Sequence, residues 1–233
     1  MRDKLEKNLA KKPDDLVLHE EYAAHLREND DARAELIELQ ISLESQSLAN
    51  EQRVELEARQ RVLLDEHGRE WLGDVADIIL GRGSDEHPFE LKPGCTIEWF
   101  RGWVRGLQLD ELNLHISKTL INAPEMRLLR KLIMTEPVNA TCDYLHEWGL
   151  LDKIKELDLS YGRISDRGAL TLAADRSIKK LESLDLSSNQ INEEGVTAIQ
   201  KSFPKVLIDD QNPIEIERGD PADWIEETEE EEE

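Results

Sequence analysis

The stretch LESLDLSSNQINEEGVTAIQ, Leu181 to Gln200, echoes IKELDLSYGRISDRGALTLA, Ile154 to Ala173, at an interval of 27 residues. Aligned on the pattern apolar-x-x-Leu-x-Leu, Leu181, Leu184 and Leu186 fall on Ile154, Leu157 and Leu159. A step of 25 back reaches Leu129, Leu132 and Met134 in LLRKLIM, and a second reaches Val104, Leu107 and Leu109 in VRGLQL. A weaker last unit starts at Phe203, with Val206 and Ile208.

A fixed period of this length predicts a solenoid. Leu-x-Leu reads as a short strand with every second side chain inward. The rest of each unit returns the chain through an inward isoleucine, Ile164 or Ile191, and then a helix. Ser165 and Asn192 stand where they can cap those helices, and Asp166, Glu193 and Glu194 bring negative charge to the positive end of the dipole. Leu170, Leu172, Val196 and Ile199 are the apolar residues available to pack inward. One unit cannot bury its own face, but four or five stacked units can. The expected fold class is α/β, a short solenoid of parallel strands and helices over residues 97–215, preceded by a small all-α domain.

These residues resemble the leucine-rich repeat family, in the longer strand-and-helix variety typified by ribonuclease inhibitor. LESLDLSSNQINEEG carries the resemblance, with Asn189 where the family's asparagine hydrogen-bonds the turn backbone. Gly162 and Pro137 occupy the equivalent positions upstream, so no continuous asparagine ladder is implied, and the first two units are degenerate.

Upstream the apolar period is helical. DDLVLHEEYAAHLREN places Leu18, Tyr22, His25 and Leu26 on one side. DARAELIELQISLESQ continues with Leu36, Ile37, Leu39, Ile41 and Leu43. NEQRVELEARQRVLLDEHG offers Asn50 as a cap, Glu55 near Arg59, and Gly68 as a stop. EWLGDVADIIL adds Trp71, Leu72, Val75 and Ile79. Four to five helices over residues 1–80 follow. Pro13, Asp14, Asp15, Tyr22, Ala23, Leu26, Glu35, Ile37, Leu39, Gln40 and Trp71 resemble the small helical domain that precedes leucine-rich repeats in many bacterial proteins, with His25 in place of that family's usual tryptophan. FRGWV, Phe100 to Val104, resembles the family's junction into the first repeat. The resemblance implies a bacterial repeat-companion protein and no known chemistry. Residues 81–96, which include GRGSDEHPFELKPG, read as a linker. Residues 216–233 read as an acidic, disordered tail, whose Trp224 and Ile225 either cap the last repeat or serve as a free motif.

The 233 residues carry a formal net charge of −23, which repels phosphate backbones and disfavours nucleic acid while attracting a basic partner. Cys95 and Cys142 are the only cysteines, without metal-ligand spacing, which points to a reducing compartment. The charged start lacks a secretory signal's apolar stretch, and no run reaches the ~18–20 apolar residues of a membrane span. A cytoplasmic location is the simplest expectation, with no membrane partner.

No catalytic, cofactor or metal residues are expected. His19 and His25 are six apart, whereas two helical ligands on one face need a spacing of about four. GRG at 81–83 lacks the lysine and hydroxyl of a phosphate loop. The acids are so numerous that a pair resembling a catalytic dyad carries little meaning, although sequence does not exclude a spatial triad.

The candidate partner-binding residues are those flanking the inward leucines on the concave side: Gln108 and Asp110, Lys131 and Ile133, Glu156 and Asp158, Ser183 and Asp185. Asp158 and Asp185 should sit side by side, either for local hydrogen bonding or to receive a partner's lysine or arginine. Trp99, Phe100 and Trp103 either seal the first repeat against the helices or form an aromatic patch for a partner. The expected function is a non-enzymatic protein–protein interaction module, an adaptor or regulatory subunit. Two alternatives stand beside it: an acidic inhibitor or immunity protein masking a basic enzyme, and an enzyme with an unrecognised site at the domain junction.

Overall fold

A computed structural model describes residues 1–81 and 89–213. The central part of the segment read as a linker, and the tail with Trp224 and Ile225, lie outside them. The helical part comprises α1 (Arg2–Lys11), α2 (Leu16–Arg27), α3 (Arg33–Leu43), α4 (Asn50–Leu72) and α5 (Ala76–Ile79). Then follow β1 (Thr96–Phe100), β2 (Trp103–Leu109), α6 (Leu114–Asn122), β3 (Lys131–Met134), α7 (Asn139–Glu147), α8 (Leu150–Lys153), β4 (Glu156–Asp158), α9 (Asp166–Ala174), β5 (Ser183–Asp185) and α10 (Glu193–Ser202).

The five strands form one sheet in sequence order. β1 and β2 are an antiparallel hairpin, and β2 to β5 run parallel. Leu107, Leu132, Leu157 and Leu184 are in register on neighbouring strands, and each is at most 2% exposed. The 25- and 27-residue spacing thus aligns one leucine per turn of the solenoid, and the helices close the interior from the other side. The fifth unit is reduced to a single parallel bridge between Asp185 and Leu207, with Phe203 and Ile208 buried beneath it.

The helices make their own core from Leu5, Leu9, Tyr22, Ala23, Leu26, Ala34 and Ile37, and this core also takes in Trp103 and Leu128 from the repeats. Leu72, Val75, Ala76, Ile79 and Leu80 join the solenoid core instead. The end of the helical part therefore plugs the first turn of the solenoid. The described ends of the segment read as a linker are also tied down: Lys92 N donates to Ile79 O at 2.9 Å, and Gly81 N to Glu90 O at 2.8 Å.

Three local expectations are corrected. Asn50 is the first residue of α4 rather than its cap. Gly68 does not end that helix; a Cβ there would sit 2.4 Å from the Phe89 ring, so the glycine admits a close contact, and the helix stops where Gly73 takes φ +52°. Arg59 leaves Glu55 for a two-pronged pair with Glu35 of α3, at 2.6 and 2.8 Å, because a planar fork matches a carboxylate.

Candidate protein-interaction surface

Strand register builds two rows on the sheet face opposite the inward leucines. Gly106, Lys131, Glu156 and Ser183 are mutual neighbours, as are Gln108, Ile133, Asp158 and Asp185. Asp110 lies past the end of β2, exposed. Gln108 turns sideways and donates to Thr135 Oγ1 at 3.2 Å. Lys131, Glu156, Asp158, Ser183, Asp185 and Leu207 line a shallow hollow of about 210 Å³, and Leu207 is 56% exposed.

Asp158 and Asp185 are paired across β4 and β5. Asp158 Oδ1 accepts from Ser160 N at 2.9 Å and Ser160 Oγ at 2.6 Å; Asp185 Oδ1 accepts from Ser187 N at 2.8 Å. Each carboxylate thus closes a local turn through one oxygen, which accounts for the residue type without a partner. Their side-by-side negative charge is what a partner would meet.

The three aromatics enter different surroundings. The hairpin between β1 and β2 turns on Arg101 (φ +47°) and Gly102 (φ +78°), the positive pair that a type I′ turn demands. A Cβ on Gly102 would fall 2.5 Å from Ile37 Cγ1, so the tip is pressed into α3. Gln40 Oε1 accepts from Gly102 N at 2.7 Å. Glu44 takes the Arg101 fork at 2.6 and 2.7 Å. Trp103 is 2% exposed, stacked on Tyr22 at 5.6 Å. Trp99, on the other side, meets Trp71 edge-on at 6.5 Å. Phe100 lies between the guanidinium groups of Arg101 and Arg105, at 4.6 and 4.3 Å. This hairpin seals helices to solenoid; Trp99 and Phe100 are only half-buried, and Trp103 offers nothing to a partner.

The seal has an ionic component that the sequence pattern did not single out. Asp14 bridges Arg105 (2.8 Å) and Arg130 (3.0 Å), which occupy the same place on neighbouring strands. Glu6, 7% exposed, accepts from Tyr22 Oη at 2.8 Å, from Arg2 at 3.0 Å and from Arg127. Burial alone would raise the Glu6 pKa, but these donors outweigh it and leave it lowered. Burial and the bond to Glu6 push the Tyr22 hydroxyl up to about 12. Arg105, Arg130, Lys155 and Glu182 recur at 25, 25 and 27 residues; this ionic register was visible in the spacing, beneath the leucines.

Among the described residues no group of three or more His, Cys, Asp or Glu is placed to hold a metal ion, and no helix is long and apolar enough to cross a membrane.

A leucine-rich repeat family model matches residues 153–173 and 177–199. No curated protein matches the chain. The two matched leucine-rich repeats correspond to β4 with α9 and β5 with α10, and the same architecture extends back through β2 and β3.

Within these leucine-rich repeats the polar residues work between units. Asn189, 1% exposed, accepts from Ile164 N at 3.0 Å and donates to Leu159 O at 2.7 Å and Leu186 O at 3.0 Å. Gln211 repeats the device one unit later, accepting from Ile191 N at 3.1 Å and donating to Leu186 O at 2.8 Å. Its longer side chain does the same job from a shifted position, so an asparagine search misses it.

Helix capping is corrected in the same way. Neither Ser165 nor Asn192 uses its side chain on its own helix. Asn139 Oδ1 instead accepts from Ser165 N (3.0 Å) and Gly168 N (3.1 Å), and Asp166 Oδ1 from Asn192 N (2.8 Å) and Gly195 N (3.2 Å). Ser165 Oγ and Asn192 Nδ2 then bond these neighbouring caps. The cap comes from the preceding unit because Gly168 and Gly195 leave room for it.

Proposed function

We propose that the chain is a non-enzymatic protein-interaction module that presents its concave sheet to a partner protein. The observation that carries this reading is the two rows of Lys131, Glu156 and Ser183 and of Ile133, Asp158 and Asp185, none of which is buried and most of which line one hollow. Leucine-rich repeats are generally protein-interaction modules, which supports the same assignment. An adaptor or regulatory role fits a rigid display surface, and a net charge of −23 favours a partner with a basic surface.

The inhibitor reading is a special case of this one, favoured by the paired Asp158 and Asp185; it requires affinity that falls steeply with salt. The enzymatic alternative has less support. The cavity of about 300 Å³ at the junction is lined by Glu6, Arg33, Trp71, Trp103, Glu125 and Arg127 among others, with no histidine, and the Glu6 pKa is lowered rather than raised.

The test is affinity capture from the source cells with the native chain and two variants. Asp158→Asn/Asp185→Asn keeps the local acceptors and removes the charge; Lys131→Glu/Ile133→Asp alters the surface itself. Proteins retained by the native chain and lost from either variant, at unchanged thermal stability, support the reading. A capture profile identical across all three overturns it.

A further inference from the structure

In a chain with 52 acidic and 29 basic residues, the charged side chains lining one cavity are mainly basic. Lys11, Arg127, Arg130, Lys153 and Lys155 line a cavity of about 310 Å³ between the end of α1 and the entry edge of the sheet, with Glu182 as its sole acid. Glu182 is already engaged by Arg130, and Arg127 by Glu6. Lys153 Nζ donates to Leu120 O at 2.5 Å and Ile121 O at 3.3 Å, and Lys155 Nζ to Lys180 O at 3.1 Å. Carbonyls do not neutralise an ammonium. Among the described residues Lys11, Lys153 and Lys155 have no carboxylate partner, although most of the molecule's surface charge is of the opposite sign. Such an island attracts a dense run of carboxylates.

The chain contains such a run. Residues 214–233 hold eleven acids and one arginine, ending in Glu229–Glu233. The described chain ends at residue 213, where Asn212 N donates to Asn189 O at 2.7 Å, at the exit end of the last strand. From there to the entry edge is ~24 Å at most, and the shift across neighbouring strands adds ~10–15 Å. Twelve residues, 214–225, have a maximum reach of ~40 Å, enough for Glu226–Glu233 to reach the cavity.

We propose that the cavity lined by Lys11, Lys153 and Lys155 is a binding site for the chain's own glutamate run, Glu226–Glu233. Tethering makes the encounter intramolecular, so a weak ionic contact is populated without help from concentration. The docked run screens this basic cavity, and an acidic ligand seeking that rim has to displace it. This does not depend on the concave face having a partner.

Zero-length carbodiimide coupling of the full-length chain, read by mass spectrometry, tests it. At low ionic strength, amide links should join Glu226–Glu233 to Lys11 and Lys155 within the monomer. They should disappear at ~1 M salt, where the screening length is ~3 Å. In Lys11→Gln/Lys155→Gln, tail links at the neighbouring Lys153 and Lys12 should fall by at least about fivefold, since the island's field is weakened. Links spread evenly over exposed lysines such as Lys4, Lys7, Lys118 and Lys201 would overturn the proposal. So would links confined to dimers, or a tail that never couples while added inorganic phosphate shields the cavity lysines from acylation; the last result would assign the cavity to small anions.

Discussion

Asp166, the first residue of one helix, accepts a hydrogen bond from the backbone N of Gly195, in the first turn of the next, at 3.2 Å. Asn139 stands in the same relation to Gly168. Each helix start is satisfied by its predecessor. Asp166→Ala should therefore cost ~1–2 kcal/mol, the range for losing a cap. Gly195→Ala should cost as much or more, since its Cβ would fall 2.5 Å from Asp166 Oδ1. Urea unfolding of both variants and of the double variant is the check; strong non-additivity is expected because the two act on one contact.

Asn189 should be the most sensitive polar position. Asn189→Ala removes the only side-chain partners of Ile164 N and Leu159 O inside the stack, a loss of ~2–4 kcal/mol. Asn189→Asp should be worse at neutral pH, because it replaces a donor that faces three carbonyls with a charge. Gln211→Ala, at the half-exposed end, should cost less than half as much. Denaturant midpoints rank the three.

At the hairpin tip Arg101 is 7% exposed and holds Glu44 with two bonds and Asp14 O with a third, at 3.1 Å. Arg101→Lys cannot reproduce the fork and should lose ~1–3 kcal/mol. Arg101→Gly relieves the positive φ but leaves Glu44 without its partner, and should also destabilise. Tryptophan fluorescence, to which Trp71, Trp99 and Trp103 at the junction contribute three of the five tryptophans, should show the helices loosening from the sheet before the repeats unfold.

Acid should loosen the same junction. His19 is fully buried, with Nε2 2.8 Å from Pro13 O. Burial, aided by the Arg101 charge, lowers its pKa below the ordinary 6.5; the Pro13 carbonyl, Glu44 and Asp14 oppose this. The unfolded chain thus takes up the proton first, so the stabilisation is complete above about pH 6.5 and declines as pH falls through the lowered value. The lowered pKa values of Glu6 and Glu44 extend the loss further into acid. His19→Gln, which can still donate to Pro13 O, should flatten the first part of the profile, just below about pH 6.5, in melts followed by circular dichroism.

The repeat was legible because an inward side chain must recur once per turn of a stacked structure; Leu107, Leu132, Leu157 and Leu184 obey that constraint and ended in register. The concave rows followed from the same alternation. What escaped was whatever depends on contacts between units. Asn139 and Asp166 look like ordinary helix starts until the next helix is set beside them, and Gln211 does asparagine's work at a different spacing. Asp14 joins strands some ninety to one hundred and sixteen positions away, beyond any local pattern. Trp99, Phe100 and Trp103 are adjacent in sequence, but strand alternation and a tight turn send them to separate neighbours.

The borrowed caps make the stack directional. Asn139 serves Gly168 and Asp166 serves Gly195, each 29 positions on; the caps themselves recur every 27 residues, and Glu193 stands at the next place in that series. A grafted 27-residue module with glycine at its third helical residue would find a carboxylate already waiting, so the protein is a template that lengthens most readily by growth from its C-terminal face.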